Sequence, residues 1–371
     1  MSVFDQVRDY AHRADPYPLY AQLRQAPVAR AADGSYVVSR YRQIVELLHD
    51  PRLSSARDGS PSSFIGLDPP EHDRLRALTM RHFDLPHEPD LARIVAELVD
   101  RLPPAGEVDL VDRFAYPFPV TVICRILGVP VEDEPRFHRW VEALVDALPD
   151  APAEARTELT DYLAGLVAAR HRAPTADLLS GLVTDGEMSD EQVVSTATLL
   201  LIAGHETTVN LIANGMLTLL RHPDVLDRLR ADPDLVYGLV EELLRFEPPV
   251  HFLPWRRALD DITVDGTTIP RGAQVTLVLA AGSRDPAHVE DPDRFDPDRR
   301  HLEHLGFGGG IHYCFGAPLA RLEAQYALLA LARRLVNPRL LADPPPYRRS
   351  PILRGPRHLP VAYDGVHPDP A

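Results

Sequence analysis

Two stretches of this chain hold side chains whose types and spacing suit chemistry. The first is Phe307-Gly308-Gly309-Gly310-Ile311-His312-Tyr313-Cys314-Phe315-Gly316-Ala317, where one of only two cysteines sits in a glycine-rich loop. Three consecutive glycines permit backbone angles and close approaches that a side chain would block, so a flat ligand fits against such a segment. Beyond it, Leu319, Leu322, Tyr326, Leu329 and Ala330 recur at three- and four-residue spacing, which predicts a helix from Leu319 to Leu335. Cys314 is then expected to face the free amides and positive pole of a helix N-terminus, a setting that favours a metal-binding thiolate over the thiol. The competing role for a lone cysteine is inert packing as a small hydrophobe.

The second stretch is Ala203-Gly204-His205-Glu206-Thr207-Thr208. It interrupts an apolar run, and a buried helix rarely carries polar groups that have no partner or task. Gly204 costs helix stability by about 1 kcal/mol relative to alanine, and its missing side chain is expected to open a groove beside Thr207 and Thr208. A threonine hydroxyl bonding back to the preceding turn helps bend the helix there. A pocket for a small polar molecule would result.

These groups need a scaffold. The hexapeptide lies within a helix predicted from about Asp190 to Arg221, started by the capping box Ser189-Asp190-Glu191-Gln192 and stopped by Pro223. It is apolar on every side from Val193 to Ile202 and again from Val209 to Leu220, so it is expected to be buried. The uncharged run before His205 is 12 residues, too short for a membrane span, and His205 and Glu206 fall at the helix midpoint. Helical periodicity also marks Tyr41 to His49, Leu91 to Leu102, Arg136 to Leu148, Ala153 to His171 and Leu235 to Phe246. Val28 to Arg30 and Tyr36 to Val38 flank Asp33-Gly34 as a hairpin. Ile262 to Val264, Thr268-Ile269 and Gln274 to Leu279 read as a second group of paired strands. The expected architecture is mainly α with small β-sheets, in one domain spanning residues 1–371.

The chain has 371 residues and 45% hydrophobic content, enough for a large core. Its formal charge of −15 argues against a nucleic-acid surface. Two cysteines make no disulfide framework, and Cys124 lies in an apolar segment where packing is its expected role. Asp5, Arg8 and Asp9 near the start leave neither a signal-peptide core nor a membrane anchor, so the expected location is the cytoplasm.

The pattern Phe-Gly-x-Gly-x-His-x-Cys-x-Gly resembles the haem-ligand loop of the cytochrome P450 family, whose cysteine is the axial ligand of iron. The hexapeptide is similar to that family's oxygen-binding groove, in which an acid and a threonine, here Glu206 and Thr207, relay protons to dioxygen. The resemblance runs from His12-Arg13-Ala14-Asp15-Pro16-Tyr17 to Leu359-Pro360-Val361 and is closest to soluble bacterial members. It implies haem b between the long central helix and the cysteine-loop helix, bound by Cys314 and by Ala203, Gly204, Phe307, Gly308 and Gly316. It implies four residues facing the haem propionates: His72 and Arg76, in Glu-His-x-x-Leu-Arg, then Arg256 and His312. Arg257 is the rival of Arg256, since register alone separates them. Glu242 and Arg245 resemble the family's Glu-x-x-Arg pair, and Pro292-Asp293-Arg294-Phe295 its Pro-Glu-Arg-Phe segment, which implies a buried triad of Glu242, Arg245 and Arg294.

Function follows from the resemblance as an expectation. The chain is expected to be a monomeric haem-thiolate monooxygenase using O2. Electrons should come from NAD(P)H through a ferredoxin reductase and a ferredoxin, because no flavin or dinucleotide domain is fused to it. Arg74 and Arg81 would steer the acidic ferredoxin. By resemblance the substrate pocket is lined by Ser55 to Gly66 including Phe64, Leu144 to Leu163, Ala203 and Thr207, Val250-His251-Phe252-Leu253, and Pro351 to Leu353 including Ile352. Few of these are charged, so a largely apolar secondary metabolite is expected: a polyketide, a terpenoid or a small peptide. His251 would either orient a polar ligand group or face solvent. Hydroxylation is placed ahead of oxidative aryl coupling. A peroxide-driven haem enzyme or a haem sensor would not need Glu206 and Thr207.

Overall fold

The computed structural model describes residues 2–56, 63–146, 153–300 and 302–369. Helices dominate, and the short strands gather into small sheets. The organising element is the helix Asp190–Arg221, 32 residues long, or about 48 Å at 1.5 Å per residue. Its capping box is formed: Ser189 Oγ accepts from the Gln192 amide at 3.2 Å, and Gln192 Oε1 accepts from the Ser189 amide at 3.0 Å. Pro223 opens the next helix, Pro223–Ala231, a position where its missing N–H costs nothing.

This long helix packs against the helices Pro117–Leu127, Ala153–Arg172 and Ala317–Arg334. Two apolar cores meet along it. One takes Val193 to Leu201 together with Cys124, which is 1% exposed and packed as expected. The other takes Val209 to Leu219 and the helix that follows the cysteine loop. The polar hexapeptide lies at the junction between the two cores. No helix among the described residues is long and apolar enough to cross a membrane.

The first hairpin forms as expected, with Val28–Arg30 antiparallel to Tyr36–Val38 and Gly34 at φ +85° in its turn. Ile262–Val264 pairs with Thr267–Ile269 across Asp265-Gly266, also as expected. The strand Gln274–Leu277 does not join them. It inserts between Tyr36–Val38, to which it is parallel, and Leu253–Ala258, to which it is antiparallel. Val275, Thr276 and Leu277 are all buried, so the strand needs partners on both edges, which a three-residue hairpin arm cannot provide. This makes Gln274–Leu277 the central strand of a five-stranded sheet, with Leu253–Ala258, the strand carrying Arg256, beside it and Leu253 near Gly308 of the cysteine loop.

Candidate active site

The cysteine loop is held by its own backbone. The Cys314 amide donates to the Phe307 carbonyl at 3.0 Å and the Tyr313 amide to Gly310 at 3.1 Å. Gly308 and Gly310 have φ of +69° and +63°, which disfavour a side chain. At Gly310 an added Cβ would also overlap the Leu48 carbonyl, so this glycine is required twice over. A Cβ at Gly316 would meet nothing within 4 Å, and at Gly308 only Leu253 Cδ1 at 4.0 Å, so the loop presents open space here. The helix Ala317–Arg334 follows with proline in its first turn.

The sulfur is a half-buried free thiol whose pKa burial raises, against the lowering effects of the Gly316 amide, Arg76 and Arg321. The Gly316 amide at the start of the cysteine-loop helix acts on the sulfur in the direction the sequence suggests, toward the thiolate. Removing an anion from water opposes that amide and the two cations, and a bound metal cation would act with them to lower the pKa.

Beside the loop, His72 is 1% exposed. Its Nδ1 bonds Asp73 at 2.8 Å, while Nε2 is buried without a partner. His312 likewise leaves Nε2 buried and unpartnered, and the two rings lie 4.6 Å apart. Burial, then Arg256, then His72, push the His312 pKa down to about 3. Arg256 is 8% exposed and donates to Ser55 Oγ. It wins over Arg257 because the strand is irregular between Leu253 and Arg256: Trp255 takes φ +63° and turns outward, and Arg256 turns in. Arg76 donates from Nη2 to the Tyr313 carbonyl at 2.8 Å and lies over the Phe64 and Phe315 rings. Two buried orphan nitrogens beside a buried guanidinium cost stability in the protein alone. An acidic ligand set over the loop would satisfy them, so these residues fit a haem with its propionates.

Opposite the loop, the middle of the long helix opens. Ala203 is exposed and Ile202, Gly204 and Thr207 are half-buried, while Leu201, His205, Glu206 and Thr208 are buried. The Thr207 hydroxyl donates to the Ala203 carbonyl at 2.8 Å. Glu206 is 2% exposed, with Arg348 Nε 3.0 Å from Oε1 and His205 Nε2 3.6 Å from Oε2. Gly204 does not open the expected groove beside Thr207 and Thr208: an added Cβ would meet Ile123 Cδ1 at 3.0 Å, so the glycine admits a neighbouring helix.

The pocket expectations divide. Val250, Ile352 and Ile202 of the long helix all pack against Leu353, and Val250 bridges Leu353. Leu253 stands beside Gly308. Phe252 is instead 2% exposed, in a separate core with Phe4 and Tyr20. His251 faces neither ligand nor solvent: it is fully buried, its Nδ1 is 2.5 Å from the Tyr20 hydroxyl, and burial holds its pKa well below the usual value. Phe64 packs edge-on to His72 and against Phe315, beside the cysteine loop and not with Val250. Of the expected lining, residues 57–62 and 147–152 lie outside the described residues.

Comparison with known proteins decides what this arrangement is. The family model described as cytochrome P450 matches residues 108–337. The monooxygenase PikC of Streptomyces venezuelae is 42% identical over 96% of this chain and 92% of its own length. The chain belongs to the cytochrome P450 family. The vitamin D(3) 25-hydroxylase of Pseudonocardia autotrophica is 41% identical over 94% of this chain and 93% of its own. The ligand-free crystal structure of Mycobacterium smegmatis CYP164A2 superposes with a TM-score of 0.90 at 42% identity, covering 97% of this chain and 99% of that one. The protein is thus a P450 monooxygenase, taking haem on a cysteine thiolate and dioxygen as co-substrate, and working with a small-molecule substrate and redox partners.

In this P450 the clamp differs from expectation at its third member. Glu242 and Arg245 are fully buried and bidentate, at 2.7 and 2.8 Å. Arg294 is not their partner: its side chain is 67% exposed and pairs with Asp296. Arg299 takes the place, with Nε 3.2 Å from Glu242 Oε1. Arg294 contributes its backbone carbonyl, which accepts from both Arg245 and Arg299. Four residues separate the two arginines, Phe295 to Asp298, and their path turns the later one back into the core.

A second clamp was missed entirely. Glu241, next to Glu242, accepts from Arg321 at 2.6 and 2.9 Å and pairs with His304 at 3.1 Å. His304 precedes the cysteine loop and Arg321 follows it, so one carboxylate ties both ends. The doubled acid Glu241-Glu242 was the available signal. Arg74 and Arg81 fail as free steering cations: Arg74 is paired with Glu71, and Arg81 with Asp185 and Glu187, which cancels most of their field.

Proposed function

We propose that this P450 hydroxylates a bulky, largely apolar secondary metabolite of polyketide, terpenoid or peptide origin, using electrons from NAD(P)H delivered by a reductase and a ferredoxin. The observation that carries the substrate class is the apolar wall of Ile202, Val250, Ile352 and Leu353 beside Ala203 and Thr207. With His251 withdrawn into the core, that wall presents no ionisable group from its own segment. The hydroxylase relative acting on vitamin D(3) supports a substrate of this size and polarity.

Bound haem supplies an iron whose cysteine ligand pushes electron density that favours O–O cleavage. The chain's own residues do the rest. Cys314 anchors the group, and His72, Arg76, Arg256 and His312 fix its acidic edge. Thr207 gives its proton to the Ala203 carbonyl, so its oxygen is left as an acceptor toward the open space, suited to orienting a water. Glu206, one residue away, is the buried acid that resupplies protons. This pair favours reductive oxygen activation over a peroxide-driven or sensory role. All 39 basic residues are arginine, so a ferredoxin would be met by guanidinium groups alone. We take the chain to act as one domain and as a monomer in the cytoplasm, where two unpaired cysteines are at home.

Low-to-high-spin binding spectra against polyketides, terpenoids and aromatic peptides test the substrate class. A charged ligand binding more tightly than every apolar one would sink it. Thr207→Ala should keep substrate affinity and lower product formed per NAD(P)H by roughly tenfold. Unchanged coupling would remove Thr207 from the relay.

A further inference from the structure

Glu206, Asn210 and Asn214 stand four apart on the long helix and form one polar stripe. All three are at most 2% exposed. The stripe meets the loop Tyr347–Pro356 near the C-terminus. Arg348, 3% exposed, places Nε 3.0 Å from Glu206 Oε1 and donates from it to Asn210 Oδ1 at 3.2 Å. Asn214 Nδ2 donates to the Arg354 carbonyl at 2.9 Å. An added Cβ at Gly355 would overlap the Asn210 side chain, so helix and loop touch too closely there for any other residue.

The loop is stiff. Tyr347 bridges Pro356, the Arg348 amide donates to Gly355 at 3.0 Å, and Leu353 bridges Val250. Fully buried Arg354 staples it to the Arg13 and Ala14 carbonyls, at 2.8 Å each, and to Glu247. At its tip Leu353 packs against Ile352 and against Ile202, one turn before Glu206. The same ten residues therefore touch the pocket wall and the buried acid.

We propose that Arg348 is a positioning residue for proton delivery, and that this loop couples occupancy of the pocket to the orientation of the Glu206 carboxylate. This rests on the proposed reading of Glu206 and Thr207 as the relay. Arg348 Nε lies 3.0 Å from Glu206 Oε1 and donates to Asn210, so a shift of Arg348 moves the charge that the Glu206 carboxylate faces. A ligand pressing on Ile352 moves a rigid loop, and Arg348 moves with it. Proton supply is thereby tied to the presence of substrate.

The test uses the haem-loaded protein and four variants: Arg348→Met, Arg348→Lys, Glu206→Gln and the double replacement Arg348→Met/Glu206→Gln. The double variant leaves no stranded charge, so it folds even where Arg348→Met alone does not. Coupling of NAD(P)H to product should fall by roughly tenfold in Arg348→Met, recover in Arg348→Lys, and fall no further in the double variant than in Glu206→Gln. Carboxylate infrared difference spectra give a readout independent of turnover: a Glu206 band, assigned by its loss in Glu206→Gln, should shift when substrate binds. That shift should vanish in Arg348→Met while substrate affinity stays within about threefold. Additive losses in the double variant, or a substrate-dependent band that survives Arg348→Met, overturn the coupling and leave the relay standing. Full coupling in Glu206→Gln overturns the relay itself.

Discussion

Replacing Arg299 with methionine should loosen the clamp that Arg294→Ala leaves intact. The Arg299 guanidinium reaches Glu242 Oε1 at 3.2 Å and donates to the carbonyls of Glu290, Asp291 and Arg294 at 2.7, 2.6 and 2.9 Å. Its loss removes one of two cations from a fully buried carboxylate. Breaking a buried pair costs roughly 3–5 kcal/mol, and since Arg245 still holds Glu242, the lower figure of about 3 kcal/mol applies. An unfolding entropy of ~2.1 cal/mol/K per residue over 371 residues is about 0.8 kcal/mol per degree, so the midpoint should fall by about 4 °C. Arg294→Ala removes an exposed side chain paired only with Asp296 and keeps the carbonyl, so at ~0.5 kcal/mol or less it should shift the midpoint by under about 1 °C. Thermal unfolding by circular dichroism measures both, and the carbon monoxide difference band of the reduced protein reports whether the cysteine still ligates. Equal damage from the two variants, or a harmless Arg299→Met, refutes the assignment.

Gly310→Ala should cost more than either, because the new methyl meets the Leu48 carbonyl and the backbone sits at φ +63°. Recovery of folded protein with a full haem complement would show that the loop has room that its geometry denies. Glu241 carries a pH dependence. Burial would raise its pKa, but hydrogen bonds from His304 and Arg321 hold it down, to about 2. The unfolded chain therefore takes up this proton first, so the stabilisation is complete above about pH 4.5 and is lost as pH falls toward 2. It amounts to roughly 2–3 kcal/mol at neutral pH, and urea unfolding of Glu241→Gln against the parent should show a gap that closes with acid. A gap independent of pH would mean that the carboxylate's charge does not hold the clamp.

Elements that announce themselves by local rules were legible in the sequence. The long helix has a capping box, a proline stop and unbroken apolar flanks, and its bounds match residue for residue. The cysteine loop was legible because its glycines are forced by local backbone and contact. What failed depended on which of two similar residues the tertiary fold turns inward. Arg294 and Arg299 both sit in acidic, arginine-rich repeats, Asp293-Arg294 and Asp298-Arg299, and only the meander's path selects between them. Phe252 and His251 were assigned to the pocket by resemblance, yet both turn into the core beside Tyr20, a choice made by the tertiary packing of the N-terminal helices. Burial energetics were equally invisible: the amides at a helix N-terminus can be read from sequence, but the desolvation that raises the Cys314 pKa is a property of the packed core.

The long helix resolves why a polar hexapeptide sits inside an apolar core. Successive residues on a helix are about 100° apart, so Glu206, Thr207 and Thr208 point to three different surroundings. Thr207 faces the open space with Ala203, and Glu206 faces Arg348. Thr208 is buried against Glu323 of the cysteine-loop helix, whose own burial raises its pKa well above the usual carboxylate value. That upward shift lessens the cost of burying a carboxyl group where the two helices pack. One turn thus serves the open site, the C-terminal loop and the cysteine-loop helix at once. A substitution in it must be judged by direction: Thr208→Val should act on the packing of the two helices and hence on stability, while Thr207→Val, one residue earlier, should act on coupling.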